Sequence, residues 1–175
     1  LYQIFAREYG TNNFPDCYNM CHEATSVGLP SSIGIGKGTV SLDDFDACEL
    51  IISIGHNPGT NHPRMMGTLH EVARRGAPII VLNPLQERAL DRLADRQDAL
   101  DMATLLAMLI SSFYMQPRIG GDAAALKGIM KALLEMEADQ GRAAGILDHQ
   151  FIDEHTNGFD ALAVDLQMAS WEAIV

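Results

Sequence analysis

Residues 49 to 63 read Glu49-Leu-Ile-Ile-Ser-Ile-Gly-His-Asn-Pro-Gly-Thr-Asn-His-Pro63, and residues 77 to 84 read Ala77-Pro-Ile-Ile-Val-Leu-Asn-Pro84. Each segment holds a short apolar run rich in β-branched residues, at 50–54 and 79–82, bounded by turn formers. That is the pattern of a strand buried on both faces. Between them Met65, Met66, Leu69, Val72 and Ala73 recur at helical spacing, Arg74 and Arg75 fall in the last turn, and Gly76 stands where a helix-ending glycine belongs. The order strand, helix, strand predicts two parallel neighbours joined by a right-handed crossover. In such sheets the ligand crevice lies beyond the carboxyl ends of the strands, which here carry residues 55–61 and 83–87. A cofactor site is the leading expectation.

The totals narrow the classes. A chain of 175 residues with 47% hydrophobic composition holds one sizeable core, so one main domain is expected. The 12 basic residues against 23 acidic give a net charge of −11, with no basic run longer than Arg74-Arg75, which argues against nucleic-acid binding. The longest apolar run, around 105–110, is far short of a membrane span, and no signal peptide is read; a cytoplasmic protein is expected. Cys17, Cys21 and Cys48 are an odd number and do not form a disulfide framework. Leu1 falls within a helix-like segment and Val175 just after a helix-like start at Ser170-Trp171-Glu172, so an internal piece of a longer protein is expected.

In chain order, residues 1–9 read as a short helix ended by Gly10. Asp16 is placed to cap a turn carrying Cys17, Cys21 and His22, followed by a helix through Val27 that stops at 28–30. Residues 31–39 are glycine-rich and irregular, and Ser41 reads as the N-cap of a short helix with acids in its first turn. Residues 84–99 are a broken helix or a loop. Over 100–116 a helix followed by a short third strand at 112–115 is expected. Gly120-Gly121-Asp122 opens a long helix whose buried stripe is Leu126, Ile129, Met130, Leu133, Leu134 and Met136. Residues 151–155 and 159–168 are two more helices, parted by Asn157-Gly158.

Three motifs carry chemistry. Gly34-Ile-Gly-Lys-Gly-Thr39 fails as a phosphate loop, because Ser31 stands where the first glycine is required, and no strand precedes it as a dinucleotide fingerprint demands; it reads as a turn and a pocket wall. In Cys17-x-x-x-Cys21-His22 the bland reading is of incidental polar residues, and His56 with His62 makes only a weak second pair for zinc. A three-cysteine cluster would need a cysteine near position 24, which is Ala24. What remains is a thiol near a helix start beside an imidazole, suited to a soft-metal ligand with a proton acceptor alongside. Gly55-x-Asn57-Pro58 and Asn83-Pro84, at equivalent ends of adjacent strands, can hydrogen-bond the phosphates and hydroxyls of a nucleotide, or simply end strands. His62, His70, His149 and His155 each read first as surface or core residues.

Together, Asp16-Cys-Tyr-Asn-Met-Cys-His22, Gly55-His-Asn-Pro-Gly-Thr-Asn-His-Pro63, Ile79-Ile-Val-Leu-Asn-Pro84, Gly120-Gly-Asp122 and Asp148-His-Gln-Phe-Ile-Asp-Glu-His-Thr-Asn-Gly-Phe159 resemble the molybdopterin oxidoreductases of the dimethyl sulfoxide reductase superfamily, and within it the formate dehydrogenase alpha-subunit-like branch. The resemblance implies a Rossmann-like three-layer α/β domain with a mainly parallel sheet, residues 1–15 being a lead-in from a neighbouring lobe and 16–175 the cofactor-binding domain. It implies bis(molybdopterin guanine dinucleotide) carrying molybdenum or tungsten, with Cys21 as metal ligand and His22 as proton acceptor. Gly55, Asn57, Thr60, Asn61, His62, Asn83, Gly120, Gly121 and Asp122 fall on positions around one guanine dinucleotide.

The resemblance further implies a 4Fe-4S cluster in a preceding segment, an electron-accepting protein or subunit, a small-molecule substrate and further lobes of the same chain, without which the isolated piece is not expected to hold the cofactor. Two departures stand out: Asn83-Pro84-Leu85 where formate dehydrogenases often carry Asp-Pro-Arg, and Thr60 where they carry Asp. The substrate is therefore open between formate and an oxo-transfer substrate of the nitrate type. A non-catalytic nucleotide-binding or interaction domain of the same shape is the alternative from another class.

Overall fold

In the computed structural model, which describes residues 1–14, 17–93 and 108–175, the chain divides into two units, Leu1–Asp44 and Phe45–Val175. The first is helical. α1 (Tyr2–Tyr9) forms where its periodicity predicts and ends at Gly10 in left-handed backbone. α2 (Cys17–Cys21) and α3 (Glu23–Ile33) follow; the expected Asp16 cap lies outside the described residues. α3 corrects the sequence reading, because it does not stop at 28–30 but runs through Gly28 and Pro30 to Gly34. Pro30 removes one N–H, yet the carbonyls near the helix end are still satisfied: Ser31 Oγ donates to Gly28 O (2.6 Å) and Gly34 N–H to Pro30 O (3.1 Å). Ser41 stands ahead of the next helical turn, where an acid three residues on accepts its backbone N–H, one half of a capping box. Its N–H and hydroxyl both donate to the Asp44 carboxylate (2.6 and 2.9 Å), and the backbone bond above all holds that carboxyl below its ordinary value.

α4 (Asp43–Ala47) leads from the first unit into the second and to β1 (Ile51–Ile54), and α5 (Pro58–Asn61) and α6 (Met65–Arg74) connect β1 to β2 (Ile79–Leu82). β1 and β2 are parallel neighbours in the register Ile51↔Ile79 to Ile54↔Leu82, as the strand, helix, strand order requires. Gly76, at φ 87°, closes α6 in backbone that a side chain would strain. α7 (Arg88–Asp91) is a single turn, and β3 (Arg92–Leu93) pairs antiparallel with β4 (Met108–Leu109). The helix expected ahead of the third strand lies mostly outside the described residues, but its end, Met108–Leu109, is strand. The third strand itself forms as β5 (Phe113–Met115), parallel to β2 with Ile80↔Phe113, so the sheet order is β1-β2-β5.

Alternation along the strands fills two layers. Ile79 and Val81 point at Met66, Leu69 and Val72 of α6, forming with Leu90 and Ile110 a core in which each is at most 5% exposed. A fully buried side chain of this kind stabilises by roughly 1.5–3 kcal/mol. Leu82 and Met115 line a cavity of about 880 Å³ with Gly128 and Ile129 of the long helix α8 (Asp122–Gln140). The fold is a mixed α/β domain around a small parallel sheet.

α8 differs from its expected stripe. Met130, Leu133 and Met136 remain 39%, 37% and 45% exposed, while Gly128 and Lys131 are buried. Two contacts set this rotation. Gly128 is the notch against which the C-terminal turn α11 (Trp171–Ile174) packs, since a Cβ there would stand 2.9 Å from Ile174 Cγ2. Lys131 Nζ donates to the Leu166 and Gln167 carbonyls (3.2 and 3.4 Å), which close α10 (Phe159–Met168), and pairs with Glu135 at 3.1 Å. An ammonium on those carbonyls satisfies the negative end of α10. Before α10, α9 (His149–His155) is capped by Asp148, whose carboxylate accepts the Phe151 N–H at 2.9 Å. No helix among the described residues is long and apolar enough to cross a membrane.

Candidate functional site

The carboxyl ends of the three parallel strands are tied together by the loops that follow them. Gly55 N–H donates to Leu82 O (2.9 Å) and Asn83 N–H to Met115 O (3.0 Å), which carries the sheet register one step into the loops. Asn57 caps α5 by accepting the Thr60 N–H on Oδ1 (3.2 Å), and with Nδ2 it donates to Glu87 Oε2 (2.7 Å). Asn83, 6% exposed, donates from Nδ2 to His56 O (3.3 Å) and accepts the Leu85 N–H on Oδ1 (3.2 Å). Both asparagines therefore lock the 55–62 and 83–87 loops to each other. Gly55, Thr60, Asn61 and His62 are exposed on the first of these loops.

Three further positions, not picked out in the sequence, lie on or after β5. Tyr114 OH donates to Leu85 O (2.7 Å) and accepts the Glu87 N–H (2.8 Å), and Gln116 Nε2 donates to Pro84 O (3.1 Å). Arg118 lines the large cavity with Gly121 at the end of β5, while Asn57 and Asn83 do not line it. Gly120 is exposed, and Asp122, half-buried, begins α8. Strand alternation alone gave no signal for Tyr114, whose hydroxyl finds partners 29 residues away.

His56 and His62 stand Nε2 to Nδ1 at 3.2 Å with ring centroids 5.2 Å apart, so one of the two must supply the proton between them. Desolvation, and secondarily the charge on His62, hold His56 below its ordinary 6.5. A depressed imidazole contributes stability that is whole above 6.5 and is lost as pH falls through the lowered value. In an NMR titration of the full-length protein the His56 midpoint is expected below 6.5, and His62→Ala is expected to raise it only part of the way, because burial is the larger cause. A midpoint at or above 6.5 in the unaltered protein would contradict the pairing. Two further histidines are placed away from these loops: His70 is fully buried, and His149 Nε2 meets the Glu137 carboxylate at 2.9 Å.

The second group lies in the first unit. Cys21 ends α2 and His22 is the N-cap of α3, so thiol and imidazole sit at the junction of two helices. Both are exposed, both line a cavity of about 410 Å³, and Cys21 is a free thiol. Among the described residues no three His, Cys, Asp or Glu side chains come together to hold a metal.

No family model matches the chain. It is 55% identical over 177 residues to the protein YdeP of Escherichia coli, covering 99% of this chain and 23% of that protein. It is 43% identical over 159 residues, 91% of this chain and 20% of the relative, to an uncharacterized oxidoreductase of Mycobacterium tuberculosis. To the alpha subunit of an F420-dependent formate dehydrogenase of Methanococcus maripaludis it is 28% identical over 168 residues, 95% of this chain and 21% of the subunit. The chain spans about a fifth to a quarter of the length of these relatives. Its fold matches part of acetylene hydratase from Pelobacter acetylenicus with a TM-score of 0.65 and 19% identity, over 97% of this chain and 19% of that one.

Proposed function

We propose that this chain is the central cofactor-binding domain of a formate dehydrogenase-like molybdenum oxidoreductase that uses bis(molybdopterin guanine dinucleotide) for a two-electron change in a small substrate. The observation that carries the reading is Cys21 itself, a free and exposed thiol beside His22 on the wall of a cavity. Likeness to relatives named as oxidoreductases and as a formate dehydrogenase subunit supports it.

In this reading Cys21 supplies the one protein sulfur on the metal, and His22 takes up the proton released at the substrate. The bound cofactor supplies the redox chemistry. Gly55, Asn57, Thr60, Asn61, His62 and Asn83 hold the guanine dinucleotide from the loops after β1 and β2, and Gly120, Gly121 and Asp122 from the turn after β5. The mutual locking of Asn57, Glu87, Asn83 and Tyr114 pre-organises those loops before the ligand arrives. Residues 1–15 are a lead-in from a neighbouring lobe, and residues 16–175 the binding domain. Further lobes, a 4Fe-4S cluster, an electron-accepting protein or subunit and a cytoplasmic location complete the proposal.

The test is metal and pterin analysis of the full-length protein, followed by formate oxidation with an artificial electron acceptor. About one molybdenum or tungsten and two pterins per chain are expected. Protein from cofactor-competent cells that contains neither would overturn the reading in favour of a non-catalytic domain. A loaded protein that reduces nitrate but leaves formate unchanged would move it to oxo transfer.

A further inference from the structure

The cavity at Cys21 and His22 has one more charged member. It is lined as well by Tyr18, Ser26, Gly36 and Lys37. Lys37 belongs to the glycine-rich Gly34–Thr39 turn, which the function proposed above leaves without a role. The turn is pressed onto α3: a Cβ at Gly36 would stand 3.0 Å from Ser26 Cα and 3.3 Å from Ser26 O. Glycine at 36 therefore permits the backbone approach that brings Lys37 to the same cavity as the thiol and the imidazole. No carboxylate lines the cavity, and Lys37 makes no ion pair among the described residues. Arg7 and Lys37 are the only arginine and lysine in the first unit of a chain with net charge −11. An uncompensated ammonium with hydroxyl and imidazole donors around it, in an otherwise acidic protein, is the composition of a site for a small anion.

We propose that Lys37 is a substrate-binding residue that holds a small monoanion, a carboxylate or a nitrate-like oxoanion, against Cys21 and His22. That the anion is the substrate rests on the reading of Cys21 and His22 as the reacting pair; that Lys37 recruits an anion to this cavity does not. The ammonium raises the local concentration of anions, and Tyr18 and Ser26 supply neutral hydrogen-bond partners. The same arrangement disfavours neutral and cationic ligands.

Alkylation of the cysteines tests this without metal or turnover. Full-length protein from cells unable to make pterin cofactors is treated with iodoacetate, an anion, or iodoacetamide, its neutral counterpart, and modification of Cys21 and Cys17 is read separately by mass spectrometry. Cys17 is exposed, lies on the same helix and does not line the cavity, so it is the internal reference. The iodoacetate-to-iodoacetamide rate ratio at Cys21 is expected to exceed that at Cys17 by about three- to fivefold, the effect of one nearby unit charge in a high dielectric. It should fall to the Cys17 value in Lys37→Gln, survive in Lys37→Arg, and collapse near about 1 M salt. An unchanged ratio in Lys37→Gln would overturn the proposal. Formate or nitrate should slow the reaction of iodoacetate with Cys21 in the unaltered protein and not in Lys37→Gln. Protection by inorganic phosphate alone would also overturn it, by assigning Lys37 to a phosphate group instead of a small monoanion. Because no metal takes part, a failed metal analysis and a failed alkylation test refute different statements.

Discussion

Cys21→Ser in the full-length protein is expected to strip the metal and to lower turnover with an artificial electron acceptor by far more than the roughly 10- to 100-fold that loss of an outer-shell partner costs. The hydroxyl of serine is a harder and far less acidic donor than a thiol, so it does not replace the sulfur that Cys21 is proposed to supply. His22→Ala, one residue on, should behave differently. Metal content stays, while turnover falls by about 10²- to 10⁴-fold and loses the pH dependence of a nearby general base. Cys17→Ser is the control, since Cys17 is an exposed free thiol outside the cavity and its loss should leave turnover and metal unaltered. Normal metal content and activity in Cys21→Ser would refute the ligand assignment, and an unchanged rate and pH profile in His22→Ala would refute the proton role.

The second large effect is on stability. Leu69 is 1% exposed at the centre of the α6 face that covers Ile79 and Val81. Leu69→Ala is expected to lower the opening free energy of the β1 and β2 amides by about 2–5 kcal/mol, the cost of the lost side chain plus the cavity it leaves. Native-state hydrogen exchange reads this locally, without requiring the whole chain to unfold in one step. Leu85, 68% exposed on the loop after β2, gives the contrast: Leu85→Ala should change exchange by less than about 0.5 kcal/mol. Equal effects from the two substitutions would mean that α6 and the sheet do not form the stabilising core.

The geometry of the crevice bears on how much each of its residues is worth. Asn57 and Asn83 each use both ends of the side-chain amide inside the loops. Their contribution is to hold the 55–62 and 83–87 loops in one conformation. His56 adds a pH dependence to that frame, with the loop most stable above the ordinary histidine range.

Local pattern was enough for the elements that carry this design. The β-branched runs at 51–54 and 79–82, the helical spacing from Met65 and the stop at Gly76 are short-range properties, and a parallel pair with one covering helix is the arrangement that buries them all. The third strand, expected at 112–115 and formed at Phe113–Met115, and the helix start at Ser170 were legible for the same reason. Two local rules did not hold. Gly28 and Pro30 predicted a helix end, but carbonyls satisfied by Ser31 and Gly34 carried α3 onward. The apolar stripe of α8 turned because Gly128 and Lys131 meet Ile174 and the Leu166 carbonyl, and sequence separations of that size leave no periodicity to read.

The site divides along the same line. The pairing of Cys21 with His22, and the position of Asn57 and Asn83 at strand ends, follow from adjacency and strand direction alone. The bond from Asn57 to Glu87, 30 residues on, the clamp that Tyr114 places on Leu85 and Glu87, and the arrival of Lys37 at the cavity that Cys21 lines required the folded chain. Hydrogen-bond partners and cavity walls are chosen by distance in space, and a linear sequence records only distance along the backbone.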